Sequence, residues 1–180
     1  MIFRSMKIPT HLTECALLEE VDTRQNYIKA SLICKRHNID IFEILMVNGL
    51  KNTKKGVYPS VLEDGQNFFF VIAAKFLDCQ DSYVLLDKDL HGWNGWVYRD
   101  HEQIIKVKPD YKLWKCTNCG KTHHTGSVEV FSKGKEDFIA EKDGDFDIDR
   151  WYDAFSWFKM NIRCTNCGLQ TDRFIDFETM

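Results

Sequence analysis

No stretch of this 180-residue chain is apolar for long enough to span a membrane as a helix. The longest uncharged apolar run is Phe68 to Ala74, far short of the roughly 20 residues a spanning helix needs. The opening segment Met1-Ile2-Phe3-Arg4-Ser5-Met6-Lys7 lacks the apolar core of a secretory leader. No membrane partner is expected, and the expected location is the cytoplasm. An excess of one charge is lacking too: 24 Lys and Arg face 27 Asp and Glu, a formal net charge of −3. A cut after Asp110 leaves 14 basic and 15 acidic residues before it and 10 and 12 after it. Neither half is a polycation, which disfavours binding to nucleic acid through phosphates while leaving room for a local basic patch. A nucleophile elbow, a phosphate loop, an HExxH helix and a dinucleotide fingerprint are all missing. Scattered carboxylates such as Glu19, Glu20, Asp100 and Glu102 show no convergence in sequence, so enzymatic activity is uncertain and not the favoured expectation.

What is present supports a packed core, since 44% of residues are hydrophobic and 13% aromatic. The seven cysteines are an odd number, which suits a reducing compartment better than a disulfide framework. Cys15, Cys34 and Cys79 stand alone and read as buried apolar fillers. The other four form a duplicated pentapeptide, Cys116-Thr117-Asn118-Cys119-Gly120 and Cys164-Thr165-Asn166-Cys167-Gly168. In each copy the two-residue spacing lets both sulfurs address one ion, and the glycine permits the positive φ of a tight turn. Strand-like runs precede both turns, at 111–115 and 158–163.

These two CxxCG knuckles resemble those of zinc ribbons and the wider rubredoxin-like group, over roughly residues 111–180. The resemblance implies a tetrahedral metal site made of Cys116, Cys119, Cys164 and Cys167. Zn2+ is the expected ion, with iron of rubredoxin type the alternative. Four thiolates leave no open position, so the ion is expected to be structural. The 44 residues between Cys119 and Cys164 exceed the spacing of a minimal ribbon and read as an insertion at about 125–158. His123 and His124, close behind the first knuckle, are candidates for a ligand or a base, although the four sulfurs already complete the site.

Residues 10–50 read as helical. Thr10 or Thr13 is placed to cap a short helix running to Val21. Ile28, Leu32 and Lys35 share a helical face, and Asp40 is placed to cap a helix carrying Ile41, Ile44, Leu45 and Val47 up to Asn48-Gly49. The run Lys35 to Leu50, followed by Asp64-Gly65-Gln66 before an apolar strand, resembles the helix-loop-helix centre and closing strand of a LysM domain over 35–66. That resemblance implies a peptidoglycan ligand. A helix-turn-helix is a further reading of the segment, with Lys35, Arg36, Lys51, Lys54 and Lys55 toward phosphate, but Ile41-Phe42 would then stand where a base reader needs polar residues. A plain helical hairpin packed on a sheet is the reading preferred.

From Gly56 the pattern is that of strands. Residues 68–77 and 82–86 form an expected hairpin with a buried first strand, and 92–98 and 104–108 extend the sheet. No linker of Gly, Ser or Pro separates the halves, so they are expected to pack together. Within the insertion, Glu136, Asp137, Glu141, Asp145, Asp147, Asp149 and Asp153 crowd beside Trp151, Tyr152 and Trp157. A calcium loop over 143–154 is disfavoured because Ile148 takes the turn-glycine position and Ala154 the bidentate-glutamate position. Trp151, Phe155 and Phe158 recur at helical spacing behind Asp149 as a candidate N-cap, and most of that stripe is expected to be core.

The expected architecture is therefore α+β: an N-terminal helical hairpin with an antiparallel sheet over 1–110, packed against a zinc ribbon with a long insertion over 111–180. The expected function is a non-enzymatic binding or regulatory protein with a structural zinc and a protein partner of basic character, comparable in composition to inhibitors and immunity proteins. One alternative is a nucleic-acid accessory factor using the ribbon, which requires Lys112, Lys115, Lys121, Lys133 and Lys135 to share a face. The other is a hydrolytic enzyme, which requires a cleft with paired carboxylates or with His123 and His124 beside it.

Overall fold

A computed structural model of the chain describes residues 6–47, 49–53, 56–60, 62–64, 67–69, 71–79, 82–88, 90–98, 111–142 and 147–180, with 47–69 and 98 described by backbone alone. The expected 104–108 strand and the centre of the acidic run at 143–146 lie outside the described residues.

The described chain is rich in sheet and has few helices. Where helices are expected between residues 10 and 50, the structure has strands β1 (Ala16–Asp22), β2 (Tyr27–Leu32) and β3 (Phe42–Val47). The helical hairpin and the LysM-like helix-loop-helix are thus both corrected. The period explains the error. Residues 28 and 32 share a face in a helix and in a strand alike, so they do not discriminate between the two. Ala30 does: Ile28, Ala30 and Leu32 are all buried, as are Phe42, Ile44 and Met46, and only a period of two puts each triplet on one face. Thr10 to Leu12 form a short 3-10 turn that plants Leu12 in the core.

Two short antiparallel pairs follow, β4 (Gly49–Thr53) with β5 (Gly56–Ser60) and β6 (Leu62–Asp64) with β7 (Asn67–Phe69). Strands β8 (Val71–Phe76) and β9 (Ser82–Asp87) then make the expected hairpin, with β8 buried on both faces apart from Lys75. The expected strand at 92–98 is instead a π-helical turn over Asn94–Tyr98. Gly92 sits at a φ of +70°, which ends extended chain there. Trp93 is fully buried, and its backbone amide donates to the Phe155 carbonyl at 2.8 Å.

After residue 110 come β10 (Lys112–Leu113), β11 (His123–Phe131), the helix α1 (Lys135–Glu141), a 3-10 turn over Ile148–Asp153, β12 (Trp157–Cys164) and β13 (Gln170–Glu178). Asp147, not Asp149, caps the 3-10 turn by accepting from the Asp149 amide. Trp151, Phe155 and Phe158 are core, as expected, although Phe158 reaches it from a strand.

Strand β11 is the spine of the nine-stranded sheet. Along one edge it pairs with β12 from His124↔Cys164 to Phe131↔Trp157. Along the other it pairs first with β3, through His123 and His124, and then with β2, through Ser127 to Phe131. Short β10 also pairs with β3. The sheet therefore runs across residue 110 without interruption. Its inward residues, among them Ile28, Phe42, Ile44, Val128, Val130, Phe158 and Met160, form one cluster with Leu12 and Trp93. Each such fully buried Ile, Phe or Leu contributes about 1.5–3 kcal/mol relative to exposure.

His11 sits beside this core, its Nε2 donating to the Leu85 carbonyl at 3.0 Å and its ring stacked on His91 at a centroid distance of 3.7 Å. Burial pushes its pKa down from 6.5 to about 4. The unfolded chain then binds more protons than the folded one between those values, so stability falls as pH drops through that window. Melting temperature followed from pH 7 to 4 is expected to decline less steeply in His11→Gln than in the wild type. Equal slopes would contradict a neutral His11 in the folded chain.

Candidate metal centre

Antiparallel pairing places the start of β11 beside the end of β12, and the two knuckles occupy these two places. The first, at 116–120, runs into β11; the second, at 164–168, turns from β12 into β13. The sheet thereby brings the pentapeptides together across 44 intervening residues. Both turns are built alike. The Cys116 carbonyl accepts from the Gly120 amide at 2.8 Å and the Cys164 carbonyl from the Gly168 amide at 2.9 Å, with the glycines at φ of +71° and +74°. Behind the first knuckle, Trp114 is tied to Ile44 through its amide and packs edge-on against Phe174 at 5.0 Å.

The four sulfurs converge, all within 4.8 Å of one another, and Cys116–Cys167 and Cys119–Cys164 are each 3.6 Å apart. Tetrahedral ligation with bonds of about 2.3 Å separates sulfurs by about 3.8 Å, close to the two 3.6 Å pairs, so the four could hold a metal ion. Cys116 and Cys164 are buried, Cys119 is half-buried and Cys167 is exposed. Burial pushes the Cys116 thiol up to about 11, whereas hydrogen bonding from the Asn118 side chain, first among several contacts, holds Cys167 down at about 6.

Neither neighbouring histidine joins these sulfurs. His123 is exposed, and its carbonyl accepts from the Thr165 amide and hydroxyl. His124 is buried, with Nδ1 2.8 Å from the Thr122 carbonyl, and burial lowers its pKa. The five lysines do not gather in one place. Lys121 precedes the nine-residue β11 and Lys133 follows it, which sets them about 30 Å apart. Lys133 is moreover paired with Glu141 at 3.4 Å.

A groove of about 300 Å³, lined in part by Glu19, Lys29, Asp40, Asn161 and Arg163, crosses the sheet. Glu19 is held there by the Ser31 hydroxyl and by Lys29 at 3.7 Å. Asp100 and Glu102 lie outside the described residues.

The acidic insertion divides. Glu136, Asp137, Asp147 and Asp149 are exposed. Asp153 is buried, accepting from the Thr10 amide and hydroxyl and from Arg150 at 2.9 Å. Trp151 is core and unavailable to a partner, while Tyr152 and Trp157 are half-buried.

Sequence reasoning missed a second cluster. Cys34 and Cys79 are buried, but they are not isolated fillers: their sulfurs lie 3.4 Å apart, and His37 Nδ1 is 3.3 Å from Cys34 Sγ and 2.9 Å from Cys79 Sγ. These three donors also form a group able to hold a metal ion. The available signal was the Cys34-x-x-His37 spacing. Cys15 does fit the filler reading, its thiol pushed up to about 12 by burial.

No known protein family matches this chain, and neither does any curated protein or solved structure. Among the described residues no helix is long and apolar enough to cross a membrane.

Proposed function

We propose that this is a non-enzymatic binding protein whose Cys116, Cys119, Cys164 and Cys167 hold a structural Zn2+, and whose acidic insertion meets a basic protein partner. The observation that carries the reading is the closed four-sulfur set at the junction of β11, β12 and β13. Four thiolates saturate the ion, leaving it no position for a substrate, and its place at the strand ends suits a brace. The insertion that this brace holds in place presents Glu136, Asp137, Asp147 and Asp149 to solvent, with half-buried Tyr152 beside them. Exposed carboxylates of this kind steer a basic partner and speed its association, while aromatic side chains supply contact area. The nucleic-acid reading has less support, because its lysines fall at opposite ends of β11.

The test replaces Glu136, Asp137 and Asp149 together with Gln, Asn and Asn, sparing Asp147 because it caps the 3-10 turn and Glu141 because it pairs with Lys133. A partner captured from the native host is expected to associate more slowly with this variant, and the difference is expected to shrink as salt rises. Metal content and melting temperature are expected to stay as in the wild type. Equal association rates for variant and wild type at low salt would overturn the acidic-face part of the proposal. Native folding with no metal bound would overturn the structural-zinc part.

A further inference from the structure

The turn that carries Cys34 and His37 has the same backbone as the two knuckles of the four-cysteine centre. In the knuckles, the carbonyl of the first cysteine accepts from the amide four residues on, and its own amide donates to the carbonyl five residues on: Cys116 to Lys121 at 2.8 Å and Cys164 to Leu169 at 2.9 Å. In the third turn the Cys34 carbonyl accepts from the Asn38 amide at 2.7 Å, and the Cys34 amide donates to the Ile39 carbonyl at 2.8 Å. The residue in the glycine place, Asn38, is also left-handed, at a φ of +54°. Asparagine is among the few non-glycine types that adopt this conformation at low cost. Cys34-Lys35-Arg36-His37-Asn38 is therefore a third knuckle, with histidine in place of the second cysteine and asparagine in place of the glycine. CTNCG and CKRHN share only their first residue, so the likeness is invisible until the backbone is seen.

The sheet delivers the third donor. Phe76 at the end of β8 pairs with Phe42 at the start of β3, and the Leu77 amide donates to the Ile41 carbonyl at 3.0 Å. The chain then turns through Asp78, itself left-handed at a φ of +59°, and Cys79 arrives beside Cys34 and His37. Two sulfurs 3.4 Å apart would by themselves suit a disulfide, whose bond is about 2.05 Å. The imidazole decides against that. A disulfide gives no reason for one ring nitrogen to lie within 3.3 Å of both sulfurs, whereas a tetrahedral ion requires a triangle of donors with edges of about 3.5–3.8 Å. Admitting an ion spreads this triangle most at its shortest edge, His37 to Cys79, which opens from 2.9 Å by about 0.6–0.7 Å, within reach of the exposed His37 side chain.

We propose that Cys34, His37 and Cys79 form a second zinc centre, with three protein ligands and the fourth position open to an exogenous donor. Among the described residues no fourth histidine, cysteine or carboxylate joins the three. Two thiolates and a neutral imidazole cancel the charge of Zn2+. The open position therefore takes water or one anionic donor, such as a thiolate, without building the net negative charge that four thiolates carry. His37 is exposed while both cysteines are buried, so solvent ligands have access from the histidine side. The row Phe76, Phe42, His124, Cys164 crosses four adjacent strands, so the two centres lie on one rim of the sheet, on the order of 14 Å apart along it.

The experiment reconstitutes the full chain with Zn2+ and counts bound metal, then repeats the loading with Co2+ and titrates with imidazole. The wild type is expected to bind two ions per chain. His37→Gln, an exposed substitution that spares the core, and the double variant Cys34→Ser/Cys79→Ser are each expected to bind one. Imidazole is expected to shift the visible absorption of the cobalt wild type and leave that of His37→Gln unchanged. One ion per chain in wild type and His37→Gln alike overturns the second centre, as does an intact mass lower by two hydrogens with a Cys34–Cys79 disulfide after Zn2+ loading under reducing conditions. Two ions per chain with a cobalt spectrum unmoved by imidazole overturns the open position. Loss of the second ion alone leaves the four-cysteine reading standing, whereas a chain that binds no metal at all refutes that reading separately.

Discussion

Replacing Cys164 with serine is expected to unfold the described sheet rather than loosen one turn. Cys164 is buried, closes β12, and pairs in register with His124 near the start of β11. In the proposed zinc site its loss would leave three sulfurs, an open position and a weakened hold on the ion. Structural zinc sites contribute on the order of 10–16 kcal/mol at neutral pH, as much as the whole stability of an ordinary domain, about 5–15 kcal/mol. Because β11 carries β12 on one edge and both β2 and β3 on the other, disorder at its start has no boundary at which to stop. Circular dichroism is expected to show loss of sheet signal and of the cooperative melt, both in the variant and after exhaustive chelation. Cys15→Ala provides the contrast: Cys15 is buried outside both cysteine clusters, and its loss is expected to cost a packing-sized amount of about 1–2 kcal/mol. A chelated, metal-free chain that still melts sharply at the wild-type temperature would show that the sheet does not need its brace.

The second large effect is expected from division of the chain. Residues 1–109 expressed alone lose β10 to β13, and with them the strand that pairs both β2 and β3. Two strands then present open hydrogen-bonding edges, and the apolar faces carrying Ile28, Ala30, Leu32, Phe42 and Ile44 lose Val128, Val130, Phe158 and Met160 from the same cluster. Open edges next to bare apolar faces are templates for association. The fragment is expected to be insoluble, or to elute as a broad aggregate without a thermal transition. A soluble, monomeric 1–109 fragment with a sharp melt would show that the N-terminal strands fold without β11.

The four-cysteine set was legible in sequence because its information is local. A two-residue spacing and a glycine specify a knuckle whatever surrounds them, and duplication of the pentapeptide says that two knuckles belong together. The hairpin of β8 and β9 was legible for a similar reason, since a run apolar on both faces followed by a turn has few other homes. The helices assigned to residues 10–50 were not a failure of periodicity so much as an ambiguity in it. Ile28 and Leu32 satisfy both periods, and only the burial of Ala30 between them distinguishes the two. The glycines at 92 and 95 are the physical reason that no strand forms there: Gly92 is left-handed, and a Cβ on Gly95 would lie 2.2 Å from the Leu90 carbonyl oxygen, so this segment turns where a strand would run on.

The sequence by itself determined that the sulfurs within each knuckle converge, because cysteines two residues apart on a tight turn meet through local backbone geometry alone, whereas the meeting of the two knuckles depends on the pairing of β11 with β12. It also determined that a substantial apolar core would form, because composition sets how much surface the chain must hide. Only the tertiary structure decided that β11 joins strands from both sides of residue 110, because strand pairing is chosen by burying whole faces at once, and no single segment encodes its partner. The same holds for the second cluster. His37 and Cys79 are 42 residues apart, and they meet because the register of β3 on β8 sets the end of one strand beside the start of the other. That register is a property of the packed sheet, which is why two cysteines that look solitary in the chain share a histidine in the fold.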